Sequence, residues 1–86
     1  MRKIYFEPNA FAHIRYWAEE NNKLLQRIFQ LIEESRRDPF KGIGKPEPLK
    51  HGKGLWSRRI NDEHRLVYQV TQEAIIILSC RFHYEH

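Results

Sequence analysis

Arg65-Leu66-Val67-Tyr68-Gln69-Val70 alternates with a period of two. Leu66, Tyr68 and Val70 fall on one face and Arg65, Val67 and Gln69 on the other, as in a strand with one side on a core. Upstream, Leu55 to Ile60 is a second strand candidate, separated from the first by the turn-forming Asn61-Asp62-Glu63. Downstream, beyond Thr71-Gln72-Glu73, Ile75 to Tyr84 starts almost wholly apolar, as a central strand does. Three consecutive strands with short turns predict an antiparallel meander.

Working outward, the N-terminal half is helical. Ile4 to Phe6 is a short strand-type run closed by Pro8, and Ala10, Phe11, Ile14, Trp17 and Ala18 then recur at helical spacing. Asn21-Asn22 breaks and recaps the chain. A second helix follows with Leu24, Leu25, Ile28, Phe29, Leu31, Ile32 and Ser35 on its apolar side. Asp38-Pro39 ends it, because a residue before proline is pushed out of helical backbone. The expected order is strand, helix, helix, strand, strand, strand. The expected class is α+β, with two N-terminal helices on one face of an antiparallel sheet of about four strands.

Eighty-six residues, 41% of them hydrophobic and 13% aromatic, suffice for one modest core and one domain spanning 1–86. Cys80 is the single cysteine, so no internal disulfide can form, and no Cys/His spacing suits zinc. Within its apolar run, Cys80 reads as a core thiol. The N-terminus lacks a secretory signal, and no window has the length of a membrane span. A soluble cytoplasmic protein that uses no membrane and no cofactor is expected.

The net charge of +4 favours a polyanion or an acidic protein as partner. Residues 39–54 concentrate this character: all four glycines, three of the four prolines, four lysines and one acid, Glu47. So long a loop in so small a chain is usually functional, and its prolines favour a fixed course. If the last hairpin has an even register, with 70 opposite 74 for example, Arg65 and Val67 share the helix-free face with Ser79, Arg81 and His83. Arg58 or Arg59 would join from the neighbouring strand, and the loop carrying Glu47 could fold over them.

Such a set suits RNA cleavage. When a 2′-hydroxyl attacks the adjacent phosphorus, one group removes its proton and another protonates the departing 5′-oxygen. A carboxylate and a histidine fill those roles, and guanidinium groups stabilise the phosphorane charge. Each residue also has a plainer reading. Glu47 reads as an ion-pair partner of Lys45 or Lys50, Arg65 as a solvated sheet arginine, His83 as a terminal surface histidine, and Arg58-Arg59 as surface charge. His51 and His64 read as surface or loop-bonding residues and His13 as part of the first helix. Trp17 and Trp56 are core or partner-facing.

Four ordered blocks lift the residues out of anonymity: Lys45-Pro46-Glu47-Pro48-Leu49-Lys50-His51, Trp56-Ser57-Arg58-Arg59-Ile60, Glu63-His64-Arg65-Leu66-Val67-Tyr68 and Cys80-Arg81-Phe82-His83-Tyr84. Together with Tyr16-Trp17 and Arg36-Arg37-Asp38-Pro39-Phe40, they resemble the Txe/YoeB branch of the RelE-like toxins over essentially the whole chain. The resemblance implies a microbial-ribonuclease-like RelE/YoeB fold and metal-free cleavage of messenger RNA in the ribosomal A site. It implies Glu47 as general base, His83 as general acid, Arg65 as phosphorane stabiliser and Tyr84 as an orienting aromatic. Lys50 and Arg59 resemble the family's phosphate contacts. Lys45, Lys53 and Arg58 are taken, on charge alone, as ribosomal RNA contacts. The implied partners are a YefM-like antitoxin whose C-terminal segment wraps the toxin, the ribosome with its messenger RNA, a second copy in a homodimer, and operator DNA through the antitoxin complex only. Such toxins commonly finish at the His-Tyr pair, whereas Glu85-His86 follow it here. Two rival functions remain: a non-catalytic module that blocks translation by occupancy, and a toxin-like chain that serves to repress its own operon.

Overall fold

Pro8, whose ring presets a helical φ, opens the first helix, and Asn21 divides it from the second. The Asn21 backbone amide donates to Trp17 O at the end of one helix, while its side chain accepts from Leu24 N at 3.0 Å and caps the next. The computed structural model describes residues 1–50 and 52–82. The elements are β1 (Lys3–Phe6), α1 (Pro8–Glu20), α2 (Asn22–Arg37), β2 (Glu47–Pro48), β3 (Leu55–Arg59), β4 (Arg65–Val70) and β5 (Ala74–Ser79).

The strands form one sheet in the order β1-β5-β4-β3-β2, with both helices against one face. The expected α+β class holds, with two corrections to the sheet: it has five strands rather than about four, and it is mixed. β1 runs parallel to β5, with Ile4 opposite Ile75. No short turn joins these two strands, so nothing imposes an antiparallel pairing, and the helix pair begins the long crossover that parallel neighbours need. The extra strand, β2, lies in the basic loop. Pro46 and Pro48 lack the amide that a central strand donates, and an edge position tolerates that. Leu49 N–H still reaches Leu55 O at 2.8 Å, and Arg59 N–H reaches Gly44 O at 2.6 Å.

Ile28, Leu31, Leu66, Tyr68, Ile75, Ile77 and Cys80 are fully buried between the layers. Leu25, Ile32 and Ser35 complete the buried side of α2, as its periodicity predicts, but Phe29 is exposed. On α1 the buried positions are Ala10 and Trp17, with Ile14 packed against the core. Phe11, 57% accessible, and Ala18 are exposed, contrary to expectation. Each lies one residue round the helix from the Ala10–Ile14–Trp17 line, beyond the strip that meets the core.

One buried side chain joins the loop to the sheet. Arg58 is 0% accessible, on the helix-facing side of β3. Its Nη2 donates to Asp38 O at 2.6 Å and Lys41 O at 2.8 Å, its Nη1 to Ile43 O at 2.9 Å, and its Nε to Tyr68 Oη at 3.0 Å. Tyr68 Oη donates onward to Pro39 O at 2.7 Å. Burial raises the Tyr68 pKa, so the phenol keeps the proton this bond requires. Gly44, at φ +81°, lies where a Cβ would come within 2.9 Å of Leu31 Cδ2, so the return of the loop toward β3 requires glycine. Tyr68→Phe removes both hydroxyl bonds at constant shape. It should cost about 1–3 kcal/mol in urea unfolding, with the denaturant slope unchanged.

Candidate active site on the open sheet face

Glu47 pairs with Ser57, Ser57 with Val67, and Val67 with Ser79, a row running across four strands on the helix-free face. Ser57 and Val67 are buried at its floor. Serine and valine are small, so larger side chains beside them can project over a shallow trough. Glu47 and Arg65 do so, with Arg65 Nη1 3.8 Å from Glu47 Oε1 and 58% and 27% of the respective side chains accessible. Arg59, paired with Arg65 across the strands, continues the row of cations and also forms an ion pair with Asp62. The Ser57 hydroxyl beneath has no hydrogen-bond partner among the described residues.

The expected grouping on this face is therefore met for Glu47, Arg65 and Arg59, and corrected elsewhere. Val70 lies opposite Ile75 rather than 74, so the last hairpin begins in the odd register. A bulge at Val67/Tyr68 then shifts the pairing, bringing Ser79 opposite Val67. This extra residue restores the shared face at Ser79, where β5 ends, well short of the strand expected to reach residue 84. Arg81 lies on the other side. Its guanidinium carbon is 3.6 Å from the Tyr16 ring centroid, stacked on α1.

Arg58 is a second correction. Its guanidinium is spent on loop carbonyls and Tyr68, and it has no surface to offer RNA. Lys45, Lys50 and Lys53 are exposed on the loop and meet that requirement. His83, Tyr84, His51, Glu85 and His86 lie outside the described residues. Phe82, immediately before His83, bonds to Arg65 itself: Arg65 N–H donates to Phe82 O at 3.1 Å.

Two histidines carry more than their sequence context suggested. Of the two readings of His64, the loop-bonding one holds and the surface one does not: it is buried, and its Nδ1 accepts from Phe82 N, beyond β5, at 2.7 Å. His13 Nδ1 accepts from Cys80 N at 3.1 Å. Both bonds span long sequence separations, so no local signal could have announced them. Burial, and then the Arg81 and His64 charges, lowers the His13 pKa. Burial raises the Cys80 thiol to about 12, consistent with a core thiol. Among the described residues no group of three or more His, Cys, Asp and Glu side chains could hold a metal. No helix among them is long and apolar enough to cross a membrane.

Two helices on a mixed sheet form the architecture of known small toxins of RelE-like fold. The same architecture occurs in the YoeB dimer from Staphylococcus aureus (TM-score 0.89, 44% identity, 96% of this chain and 98% of that one). It also occurs in the YoeB-YefM complex from that organism (TM-score 0.85, 44% identity, 98% and 99%). A chain of the Escherichia coli DinJ-YafQ complex, 15% identical, shares the fold alone (TM-score 0.81, 95% and 92%).

The particular family follows from the sequence matches. The model of the YoeB-like toxin of bacterial type II toxin-antitoxin systems matches residues 6–84, and the chain belongs to that family. Toxin YoeB of Escherichia coli (strain K12) is 47% identical over 83 residues, 95% of this chain and 99% of that protein. Toxin YoeB of Synechocystis sp. is 57% identical over 84 residues, 96% and 98% of the two chains.

Two outcomes test the electrostatic assignments. Arg58→Met should cost about 2–4 kcal/mol of stability by orphaning loop carbonyls, yet leave the salt dependence of RNA association unchanged. Lys50→Ala should instead lower that salt slope by about one. For His13, the depressed folded pKa means that below its ordinary value of 6.5 the unfolded chain binds more protons. Its contribution therefore costs no stability above that pH and becomes destabilising as pH falls through it. His13→Asn should flatten that part of the pH–stability curve in thermal melts.

Proposed function

We propose that this chain is a ribosome-dependent endoribonuclease that cleaves messenger RNA in the A site and so inhibits translation. The observation that carries this reading is the Glu47–Arg65 couple, 3.8 Å apart over a floor of small residues on the open sheet face. A binding module needs cations, but it has no use for a carboxylate set against one of them in the most basic loop of the chain.

In this mechanism Glu47 takes the proton of the 2′-hydroxyl as its oxygen attacks phosphorus. The new bond is 2′-O–P, and the bond that breaks joins phosphorus to the 5′-oxygen of the next nucleotide. The products are a 2′,3′-cyclic phosphate and a 5′-hydroxyl. His83 gives the leaving 5′-oxygen its proton. Arg65, on the rigid β4 strand and bonded through its amide to Phe82 O, holds fixed donors toward the charge on the phosphorane. Tyr84 orients the RNA or the leaving group. No metal is required, because the acid, the base and the counter-charge are all side chains. Lys50 and Arg59 contact substrate phosphate, and Lys45 and Lys53 contact ribosomal RNA. Arg58 has no part in this.

The toxin acts in the cytoplasm and is neutralised by a YefM-like antitoxin, a reading supported by its likeness to the toxin in the Staphylococcus aureus YoeB-YefM complex. The likeness to the YoeB dimer supports a homodimer of this chain. Operator DNA is reached through the antitoxin complex only.

Primer extension on messenger RNA in a purified translation system tests the assignment. Glu47→Gln and Arg65→Ala should each lower the A-site cleavage rate by about 10²- to 10⁴-fold while the folded chain persists by circular dichroism. Translation blocked equally by wild type and by a Glu47→Ala, His83→Ala double variant, with no cuts from either, would establish the occupancy reading instead.

A further inference from the structure

Phe82 has φ +68°, a left-handed conformation that a bulky side chain rarely adopts and that persists only where its surroundings impose it. Here they do. Phe82 N–H donates to His64 Nδ1 at 2.7 Å, and Phe82 O accepts from Arg65 N at 3.1 Å. Two residues earlier, Cys80 N–H donates to His13 Nδ1 at 3.1 Å, and Cys80 O accepts from Trp17 Nε1 at 2.9 Å. Four bonds thus hold both polar backbone groups of Cys80 and Phe82, and they come from α1, the β3–β4 turn and β4.

The anchors are themselves anchored. Asn61 Oδ1 accepts from the amides of Glu63 and His64 at 2.9 and 2.8 Å, fixing the turn that carries His64. The His64 ring meets Trp17 edge-on at 4.9 Å, and the Arg81 guanidinium lies against Tyr16 and Phe82. A backbone amide can only donate, so each Nδ1 must present a lone pair, which puts the ring proton on Nε2. His64 Nε2 stands 3.6 Å from Glu63 Oε1, where a carboxylate favours that tautomer.

Satisfying two part-buried amides would by itself account for two imidazoles accepting from alternate positions of one short segment. That segment, however, enters the C-terminal His-Tyr pair. We propose that His13 and His64 are positioning residues for RNA cleavage, gripping the backbone at Cys80 and Phe82 so that Phe82, the residue before His83 in sequence, is held in fixed relation to Arg65. This rests on the nuclease reading above. Neither imidazole touches RNA or transfers a proton in the reaction. Their contribution is alignment, to which proximity-driven catalysis is steeply sensitive.

The test pairs His64→Leu, which removes the acceptor, with His64→Asn, whose Oδ1 is attached to Cγ as Nδ1 is in histidine and can accept the same proton. Amide hydrogen exchange at Phe82, followed by NMR, reads the grip directly. Single-turnover cleavage on programmed ribosomes, across a range of toxin concentrations, reads its consequence. Protection at Phe82 should be lost in the leucine variant and kept in the asparagine variant. The maximal cleavage rate should fall by about 10- to 100-fold in the former and stay within about threefold of wild type in the latter, with the half-saturating concentration unchanged in both. Loss of protection without loss of rate overturns the positioning role, as does an equal rate loss in both variants while asparagine keeps protection. A wild-type chain that makes no cuts fails the nuclease reading and removes the role with it, while the exchange data still report whether the grip exists.

Discussion

The Arg58 guanidinium is the point on which the functional geometry turns. It sits at 0% accessibility and takes up the carbonyls of Asp38, Lys41 and Ile43 together with the Tyr68 hydroxyl. Loop backbone is ordinarily solvated because buried carbonyls need donors. One arginine supplies several donors from a single rigid fork. The segment after α2 is thereby held to the sheet, and the following residues return as the edge strand β2. Glu47 reaches the open face because its loop is tied down on the opposite one.

Two further devices direct the chain toward the same place. The bulge at Val67/Tyr68 changes the register of the β4–β5 hairpin partway along. Before it, Ile75 and Ile77 fill the core, and beyond it Ser79 stands opposite Val67 on the trough floor. A uniform register could not serve both faces, since a one-residue slip exchanges them. The bonds to Cys80 and Phe82 hold Phe82 against the Arg65 backbone. The edge strand β2 and the strands β3, β4 and β5 thus meet along one trough.

The division of labour among the arginines follows from their positions. Arg58 and Arg59 are adjacent in sequence and so point to opposite faces of β3. One becomes a buried structural cation and the other a partly exposed neighbour of Arg65. Arg81 joins neither group, and its charge rests on aromatic rings of α1 and of the chain end. Net charge alone treats these residues as equivalent contributors to a basic surface, which they are not.

Periodicity by itself determined the helix pair, the strand at residues 65–70 and the meander around it. These are local properties, set by which residues must face a core at 3.6- or 2-residue spacing. Composition likewise marked residues 39–54 as unusual and Glu47 as the lone acid among lysines. The tertiary structure alone decided the parallel pairing of β1, the pairing of Glu47–Pro48 as an edge strand, the burial of Arg58, the exposure of Phe11 and Phe29, and the grip of His13 and His64. Each of these depends on partners between 8 and 71 residues away or on how far one layer covers another. The chain's own local preferences are silent on such matters, because hydrogen bonding and burial across a core are settled only when the layers meet.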